Sequence, residues 1–145
     1  MELLKLRQSA GVKGRLKCNG KPAKGVKVIL VESEIRLDVF MAHNETDKNG
    51  NFKLSGWADE ITSIDPELNI YSKCNYENPP EEIGTETKCY KKFTIQVPSD
   101  YIARGTSRVD RYFDIGVKEL SEMKGEKIKC IHRSQRRFHN FNFAL

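Results

Sequence analysis

The chain has 145 residues, of which 38% are hydrophobic and 31% are charged, and its formal net charge is +5. This length suits one domain with a substantial core, and no run of about 18 apolar residues is present that could form a transmembrane helix. Residues 1–120 carry a net charge of only +1, whereas residues 121–145 carry +4. The basic character therefore belongs to the end of the chain, and we expect no nucleic-acid partner.

Periodic apolar runs predict seven short strands separated by turns. Val12–Cys18 alternates apolar and basic residues, and Val26–Glu32 is apolar enough to be a central strand. In chain order the predicted strands are 12–18, 26–32, 39–46, a strand that begins at 51, 68–74, 88–97 and 110–120. This count predicts an all-β, seven-stranded sandwich with at most one short helical turn, over Pro98–Ala103.

These strands divide the chain into three regions. Residues 1–10 are predicted to be a lead segment, residues 11–132 the sandwich, and residues 133–145 a disordered tail rich in basic and aromatic residues. The polar residues after Leu120 show no strand pattern, so we expect them to lie outside the core.

The segment around Asn49-Gly50 carries the strongest local signal in the chain. Asn-Gly favours a type I′ turn, in which both central residues have φ > 0, and Asp47 can accept hydrogen bonds from backbone groups ahead of it. Phe52 then begins an alternating run, so we predict a β-hairpin. The Asp and Asn residues resemble a calcium loop, but the twelfth position, which needs a bidentate Glu, is Ala58. We predict neither a metal nor a cofactor.

The four cysteines, at positions 18, 74, 89 and 130, allow three pairings. An even number at wide spacing, without C-x-x-C, is typical of disulfides in an oxidising compartment rather than of zinc ligands. Cys74 ends one predicted strand and Cys89 opens the next, so we expect these two to pair and Cys18 to pair with Cys130. The two closed loops would contribute about 3 and about 4.7 kcal/mol. Four buried thiols are the alternative.

The amino terminus does not by itself match this compartment. Met1–Ala10 contains no apolar stretch of 7–15 residues, so it is not a signal peptide as it stands. The cysteine pattern nevertheless favours an extracellular protein. We therefore expect a secreted protein whose signal peptide is missing from this sequence; the alternative is an intracellular protein with reduced thiols.

Together these features resemble the nematode transthyretin-like family over residues 11–132. The family's opening strand and turn, its central block and its C-terminal half all have counterparts here. They are Gly11–Cys18, Gly20–Ala23, Val26–Val28, Thr46–Gly56, Ile64–Pro66, Leu68, Ile70-Tyr71, Cys74-Asn75, Cys89, Pro98, Tyr101 and Tyr112–Gly116. Family members normally carry a signal peptide directly before the counterpart of Gln8-Ser9, and the stretch 133–145 has no counterpart in the family pattern.

The resemblance implies a transthyretin-type, immunoglobulin-like β-sandwich in a small, secreted, disulfide-bonded protein. Some relatives bridge phosphatidylserine exposed on dying cells to engulfment receptors, and others have neuronal or host–parasite roles. We therefore expect a non-enzymatic binding protein whose partner is an extracellular protein or an anionic lipid surface. The alternatives are a carrier of a small hydrophobic ligand, by analogy with transthyretin, and a structural protein of the extracellular matrix.

An enzyme of the related hydroxyisourate hydrolase type is not expected. That enzyme needs paired His residues with Arg and a C-terminal Tyr-Arg-Gly-Ser motif, whereas this chain ends Phe-Asn-Phe-Ala-Leu. Two of its three histidines, His132 and His139, lie near or in the tail, which cannot easily hold a general base rigidly. The third, His43, is expected on the surface of a strand.

Three further features carry hypotheses. Asn44-Glu45-Thr46 is an N-glycosylation sequon, which makes Asn44 a candidate acceptor or a chance match that is never modified. Arg133, Arg136 and Arg137 precede three phenylalanines, a combination that can bind anionic lipid headgroups, although a solvated end is the alternative. Trp57, the lone tryptophan, is expected to pack in the core at one end of the sandwich.

Overall fold

In the part of the chain that the structure describes, the fold is all-β, with its strands arranged in two five-stranded sheets and one two-stranded sheet. The computed structural model describes residues 4–76, 87–132, 137–138 and 141–142. The strands are β1 (Leu6–Cys18), β2 (Lys21–Pro22), β3 (Lys27–Ser33), β4 (Asp38–Glu45), β5 (Asn51–Glu60), β6 (Pro66–Ser72), β7 (Thr87–Gln96), β8 (Ala103–Arg104), β9 (Phe113–Glu119), β10 (Lys127–His132), β11 (Arg137–Phe138) and β12 (Phe141–Asn142). The sheets thus hold ten strands rather than the seven predicted.

Strand β1 pairs with each of the other four strands of the first sheet. It pairs antiparallel with β5 from Leu6↔Glu60 to Arg15↔Asn51, and it also pairs with β2, with β8 and, in parallel, with β9. The predicted boundary after residue 10 is wrong, because β1 begins at Leu6 and Gln8 is buried. The Gln8 side chain is held by Thr62 and Ile64: its amide donates to one carbonyl and its carbonyl accepts from the other N–H. These bonds compensate the burial of a polar residue.

The second sheet has the order β10-β7-β6-β3-β4 and is antiparallel throughout. Its β10 lies after Leu120, where no strand pattern is visible and the polar residues are predicted to lie outside the core. This strand supplies one buried residue, Ile131, while its other described side chains are exposed. An edge strand of this kind offers little apolar pattern, so pairing with β7 rather than periodicity defines it.

The core lies between the two sheets. Alternating residues of each strand face inward, as the period of two requires. The first sheet contributes Val12, Leu16, Phe52 and Leu54, and the second contributes Val28, Leu30, Leu68, Ile70 and Phe93. All are buried, and each such side chain stabilises the fold by about 1.5–3 kcal/mol. The predicted β-sandwich is thereby confirmed.

The predicted turn at Asp47–Gly50 is present, but the predicted hairpin is wrong. β4 pairs with β3 in the second sheet and β5 pairs with β1 in the first, so the turn carries the chain from one sheet to the other. The Gly50 N–H donates to the Asp47 carbonyl, and the Asp47 side chain accepts from the N–H groups of Asn49 and Asn51. Only Gly50 has φ > 0, which excludes the type I′ turn.

Gly50 cannot be replaced in the turn that carries the chain from one sheet to the other. Its φ is +81°, and the Cβ of any other residue would lie within 2.3 Å of the Leu16 carbonyl oxygen. The Gly50 carbonyl in turn accepts from the Leu16 N–H. The glycine therefore serves both the turn and its close approach to β1.

The two disulfides join Cys18 to Cys74 and Cys89 to Cys130, so the predicted pairing is wrong. Cys89 and Cys130 lie directly opposite each other on β7 and β10. Cys74 follows the end of β6, where a turn marked by Asn75 at φ +55° takes the chain off the sheet and toward Cys18. β10 is not among the predicted strands, so the sequence pattern gave no reason to place Cys130 beside Cys89.

Helical structure is confined to two short 3-10 turns in the described parts of the chain. Ser99–Tyr101 lies inside the predicted segment Pro98–Ala103, and Leu120–Glu122 follows β9. Within the predicted tail, residues 137–138 pair antiparallel with residues 141–142. The rest of that tail lies outside the described residues.

Candidate functional site

A cavity of about 540 Å³ opens at the end of the sandwich where β3 begins and β6 ends. Four lysines and one glutamate line it together with two tyrosines and small apolar residues. The charged and aromatic lining residues are Lys24, Lys27, Lys73, Lys88, Glu45, Tyr71 and Tyr90. The excess of positive charge makes this lysine cavity, as we call it here, a candidate site for an anionic ligand.

Lys27 is the buried lysine of the lysine cavity. It is the first residue of β3 and is only 8% exposed, and its ammonium group is paired with the carboxylate of Glu45 on β4. Burying a lysine is costly unless it is paired, and the antiparallel register places Glu45 directly opposite. Lys27 therefore stabilises the wall, and Lys24, Lys73 and Lys88 supply the rest of the positive charge of the cavity.

The loop that carries Lys24 is fixed by Thr46. The Thr46 hydroxyl donates to the Ala23 carbonyl at 2.5 Å and accepts from the Val26 N–H at 2.9 Å. Its backbone adds two bonds, to Gly25 and Val26, so the loop is bonded at both ends. Thr46 is only 4% exposed, although it is the third residue of the predicted sequon.

The opposite wall is fixed by the disulfide Cys18–Cys74 and the turns beside it. Asn19 and Asn75, both with φ near +55°, exchange side-chain hydrogen bonds at 2.8 and 3.0 Å. The carboxylate of Glu119 accepts from the N–H groups of Asn19 and Gly20. Hydrogen bonds from Ser121 and from these N–H groups lower the pKa of Glu119 to about 2, so it stays charged and keeps its bonds at neutral pH.

Two tyrosines form an aromatic surface on the β6 and β7 side of the lysine cavity. The rings of Tyr71 and Tyr90 meet edge to face, with centroids 6.2 Å apart, and the Lys73 ammonium lies 4.9 Å from the Tyr90 centroid. Burial raises the pKa of Tyr71 to about 12. Its hydroxyl therefore remains neutral and does not reduce the positive charge of the cavity.

A second charged cluster lies at the other end of β3. The carboxylates of Glu32, Glu34 and Glu60 approach within 4.8 Å of one another. Burial, followed by the neighbouring Glu34 and Glu60, raises the pKa of Glu32 to about 7, while the backbone of Asp65 opposes the shift. The pKa of Glu60 is raised by burial and by Glu34, against the lowering effect of Lys5. We call this set the glutamate cluster.

Sequence reasoning missed both candidate sites, although the sequence contained a signal for one of them, the glutamate cluster. Glu32 occupies an inward-facing position of β3, two residues after Leu30, and Glu60 occupies one of β5, two residues after Ala58. An acidic residue in the core register of a strand is unusual. The lysines of the cavity, by contrast, are spread over residues 24–88 and come together only when β3, β6 and β7 pair.

The structure describes the surroundings of three residues that the sequence analysis singled out, Asn44, His43 and Trp57. Asn44 is exposed on β4, and its amide nitrogen donates to the Lys53 carbonyl at 2.9 Å. His43 is exposed on the same strand, as predicted. Trp57 is 45% exposed under the Arg7 guanidinium, 3.7 Å from the ring centroid, so the prediction that it packs in the core is wrong.

The structure does not describe the side chains of the predicted arginine site. Arg133 and Arg136 lie outside the described residues, and only the backbone of Arg137 is described. These three residues therefore stay a prediction. No helix in the described parts of the chain is long and apolar enough to cross a membrane.

Residues 13–98 match the model of the Transthyretin-like family, TTR-52, which is more than half of the chain. The chain belongs to the transthyretin-like family. It is 45% identical over 128 residues to transthyretin-like protein 5 of Caenorhabditis elegans, with 86% of each chain covered. Transthyretin-like proteins 2 and 1 of the same organism are 39% and 36% identical and cover 86% and 88% of this chain, which spans 84% and 82% of theirs.

Among solved structures, a 9R-lipoxygenase from Cyanothece matches with a TM-score of 0.41 and 15% identity, over 77% of this chain and 16% of that chain. A likeness this weak says nothing about activity. The transthyretin-like relatives support a binding protein rather than an enzyme. Together with the two disulfides, they fit an extracellular protein.

Thr46 provides a test of how the loop of the lysine cavity is held. Thr46→Ala leaves the buried Ala23 carbonyl and the partly buried Val26 N–H without this partner, so we expect the free energy of unfolding to fall by roughly 2–3 kcal/mol. Thr46→Ser keeps the hydroxyl, and the sequon, and is expected to cost about 1 kcal/mol for the lost methyl group. Urea unfolding followed by Trp57 fluorescence measures both. Equal losses in the two variants would contradict this role of the hydroxyl.

The glutamate cluster predicts an unusual pH dependence of stability. A carboxyl whose pKa is raised to about 7 in the folded state favours folding below its unfolded pKa of about 4.3, and this contribution is lost as the pH rises through 7. Glu32→Gln should therefore gain stability relative to the wild type between pH 5 and pH 8, by about 1 kcal/mol because water reaches part of the cluster. Urea unfolding in EDTA at both pH values measures the gain. Glu122→Gln, at an exposed carboxyl, is the control, and a gain that is the same in both variants would refute the prediction.

Proposed function

We propose that this protein is a secreted, non-enzymatic binding protein that engages phosphatidylserine at a membrane surface through the lysine cavity. The observation that carries the proposal is the convergence of Lys24, Lys73 and Lys88 on one cavity. Its volume of about 540 Å³ lies within the range of about 300–1,000 Å³ typical of small-ligand sites.

The charges of the cavity complement the phosphatidylserine headgroup. The headgroup carries a negative phosphate, a negative carboxylate and a positive ammonium group. The lysines offer donors for the two anionic groups, and Glu45, whose side chain is 48% exposed, offers an acceptor for the ammonium group. This combination favours phosphatidylserine over an anionic lipid that lacks an amine.

The electrostatic energy is sufficient for a reversible surface interaction. Each basic residue close to an anionic membrane contributes about 1 kcal/mol, so three lysines can account for up to about a hundredfold change in affinity. The interaction should weaken as the salt concentration rises. Binding to a receptor on the same cell surface would add to it, and the carrier and matrix alternatives remain predictions from the sequence.

Vesicle sedimentation tests the proposal directly. We expect the full chain to bind vesicles with 30% phosphatidylserine, to bind vesicles with 30% phosphatidylglycerol less well, and to leave phosphatidylcholine vesicles unbound. The triple variant Lys24→Ala, Lys73→Ala, Lys88→Ala should lose most of this binding, by up to about two orders of magnitude in affinity. Lys27 is left unchanged because it is paired with Glu45 in the fold.

The matched control removes three exposed lysines that do not line the cavity, Lys48, Lys118 and Lys124. It changes the net charge equally and should retain most of the binding. Deleting residues 133–145 tests the alternative placement of the site at Arg133, Arg136 and Arg137. Equal binding to phosphatidylserine and phosphatidylcholine would refute the function, and loss of binding only on deletion of the tail would refute its assignment to the cavity.

A further inference from the structure

The glutamate cluster brings three carboxylates to the rim of the core from both sheets. Strand alternation places Glu32 on the same face of β3 as Val28 and Leu30, and Glu34 follows two residues later. Glu60 ends β5, which belongs to the opposite sheet. The cluster therefore spans the junction between the sheets, about 17 Å along β3 from Lys27.

Nothing among the described residues neutralises these three carboxylates through an ion pair. The ion pairs there are Arg7 with Asp59 and Lys27 with Glu45. Lys5 acts on Glu60 only at longer range. Three like charges in one place are unfavourable unless protons or a cation compensate them.

Glu32 adds an independent observation that points to a ligand. The residue is only 5% exposed, and its Oε2 is buried without a hydrogen-bond donor. A buried carboxylate oxygen without a partner costs free energy. Within the cluster, Glu34 is exposed and Glu60 is half-buried, so buried Glu32 forms the inner side of a site that solvent ions can enter.

We propose that Glu32, Glu34 and Glu60 bind one Ca²⁺ ion at this sheet junction. Ca²⁺–oxygen distances of about 2.3–2.6 Å place two ligands of one ion up to about 5 Å apart, which suits carboxylate atoms that lie within 4.8 Å of one another. Three carboxylates and several waters supply the six to eight oxygens that Ca²⁺ requires. Mg²⁺ is less suitable because it demands shorter distances and near-ideal octahedral geometry.

The ion would join the two sheets at the end opposite to the lysine cavity. Glu32 and Glu34 border the segment between β3 and β4, where Ile35 and Leu37 are exposed. Ca²⁺ bound to both residues and to Glu60 therefore fixes this segment to the end of β5. Affinities in the range of about 10⁻⁴–10⁻³ M, typical of extracellular modules, would suffice where Ca²⁺ is at millimolar concentration.

Thermal unfolding and calorimetry with CaCl₂ test this site on the full chain. We expect 5 mM CaCl₂ to raise the Tm by about 3 °C relative to EDTA, and titration calorimetry to detect one ion per chain. The triple variant Glu32→Gln, Glu34→Gln, Glu60→Gln should have a higher Tm than the wild type in EDTA, because the repulsion is removed, and should not respond to CaCl₂. Loss of the response in a variant that is more stable cannot be attributed to misfolding.

The matched control, Asp110→Asn with Glu122→Gln and Glu126→Gln, removes three exposed carboxylates elsewhere and should keep the full response. An unchanged wild-type Tm in CaCl₂, a cluster variant that responds like the wild type, or an equal response to MgCl₂ would each overturn the proposal. Vesicle binding is not used as a readout, so this result is independent of the proposed function.

Discussion

Burial of β3 along nearly its whole length is the constraint on which both charged sites depend. The strand lies between β4 and β6, and each of its residues from Lys27 to Glu32 is buried. The apolar residues in between fill both faces of the sheet. The charged residues at the two ends are therefore drawn into the protein, and each requires compensation.

The charged residues at the two ends of β3 have different surroundings. Lys27 is paired with Glu45 across the ladder, and this pair forms part of the wall on which the other lysines are placed. Glu32 meets two further carboxylates instead, and one of its oxygens has no donor. The sandwich thus has a cationic end and an anionic end, held about 17 Å apart by the rise of one strand.

The turn from β4 to β5 connects the loop of the lysine cavity with the first sheet. Thr46 bonds to the loop that precedes β3, and Gly50, four residues later, bonds to Leu16 in the other sheet. The close approach continues at Gly56, where a Cβ would lie 2.4 Å from the Met41 carbonyl oxygen. A short turn between sheets therefore fixes both the lysine cavity and the distance between the layers.

The sequence was sufficient for the fold class because alternation and turn residues are local signals. Leu68–Ser72 and Phe93–Val97 alternate as paired strands do, and Asp47–Gly50 turns where predicted. Pairing is not local, and for that reason the hairpin and the disulfides were assigned wrongly. Extending the β6–β7 register would place Cys74 opposite Cys89, but the ladder ends at Ser72 and the chain turns away.

The candidate sites were less predictable than the fold. The three lysines of the cavity come from separate segments, and no spacing rule connects Lys24 with Lys73 or Lys88. Glu32 and Glu60 stood in the core register, but this signal is visible only when the inward face of each strand is known. The arginines near the end of the chain were conspicuous in the sequence because they lie close together along it, and their role stays a prediction.

NMR titration of the full chain with a short-chain, soluble phosphatidylserine tests the central claim most directly. The account predicts saturable chemical-shift changes that are largest at Lys24–Lys27, Lys73 and Lys88, with little change in the β3–β4 segment at the other end. Short-chain phosphatidylcholine should leave these signals in place. Changes confined to residues 133–145, or none at all, would contradict it.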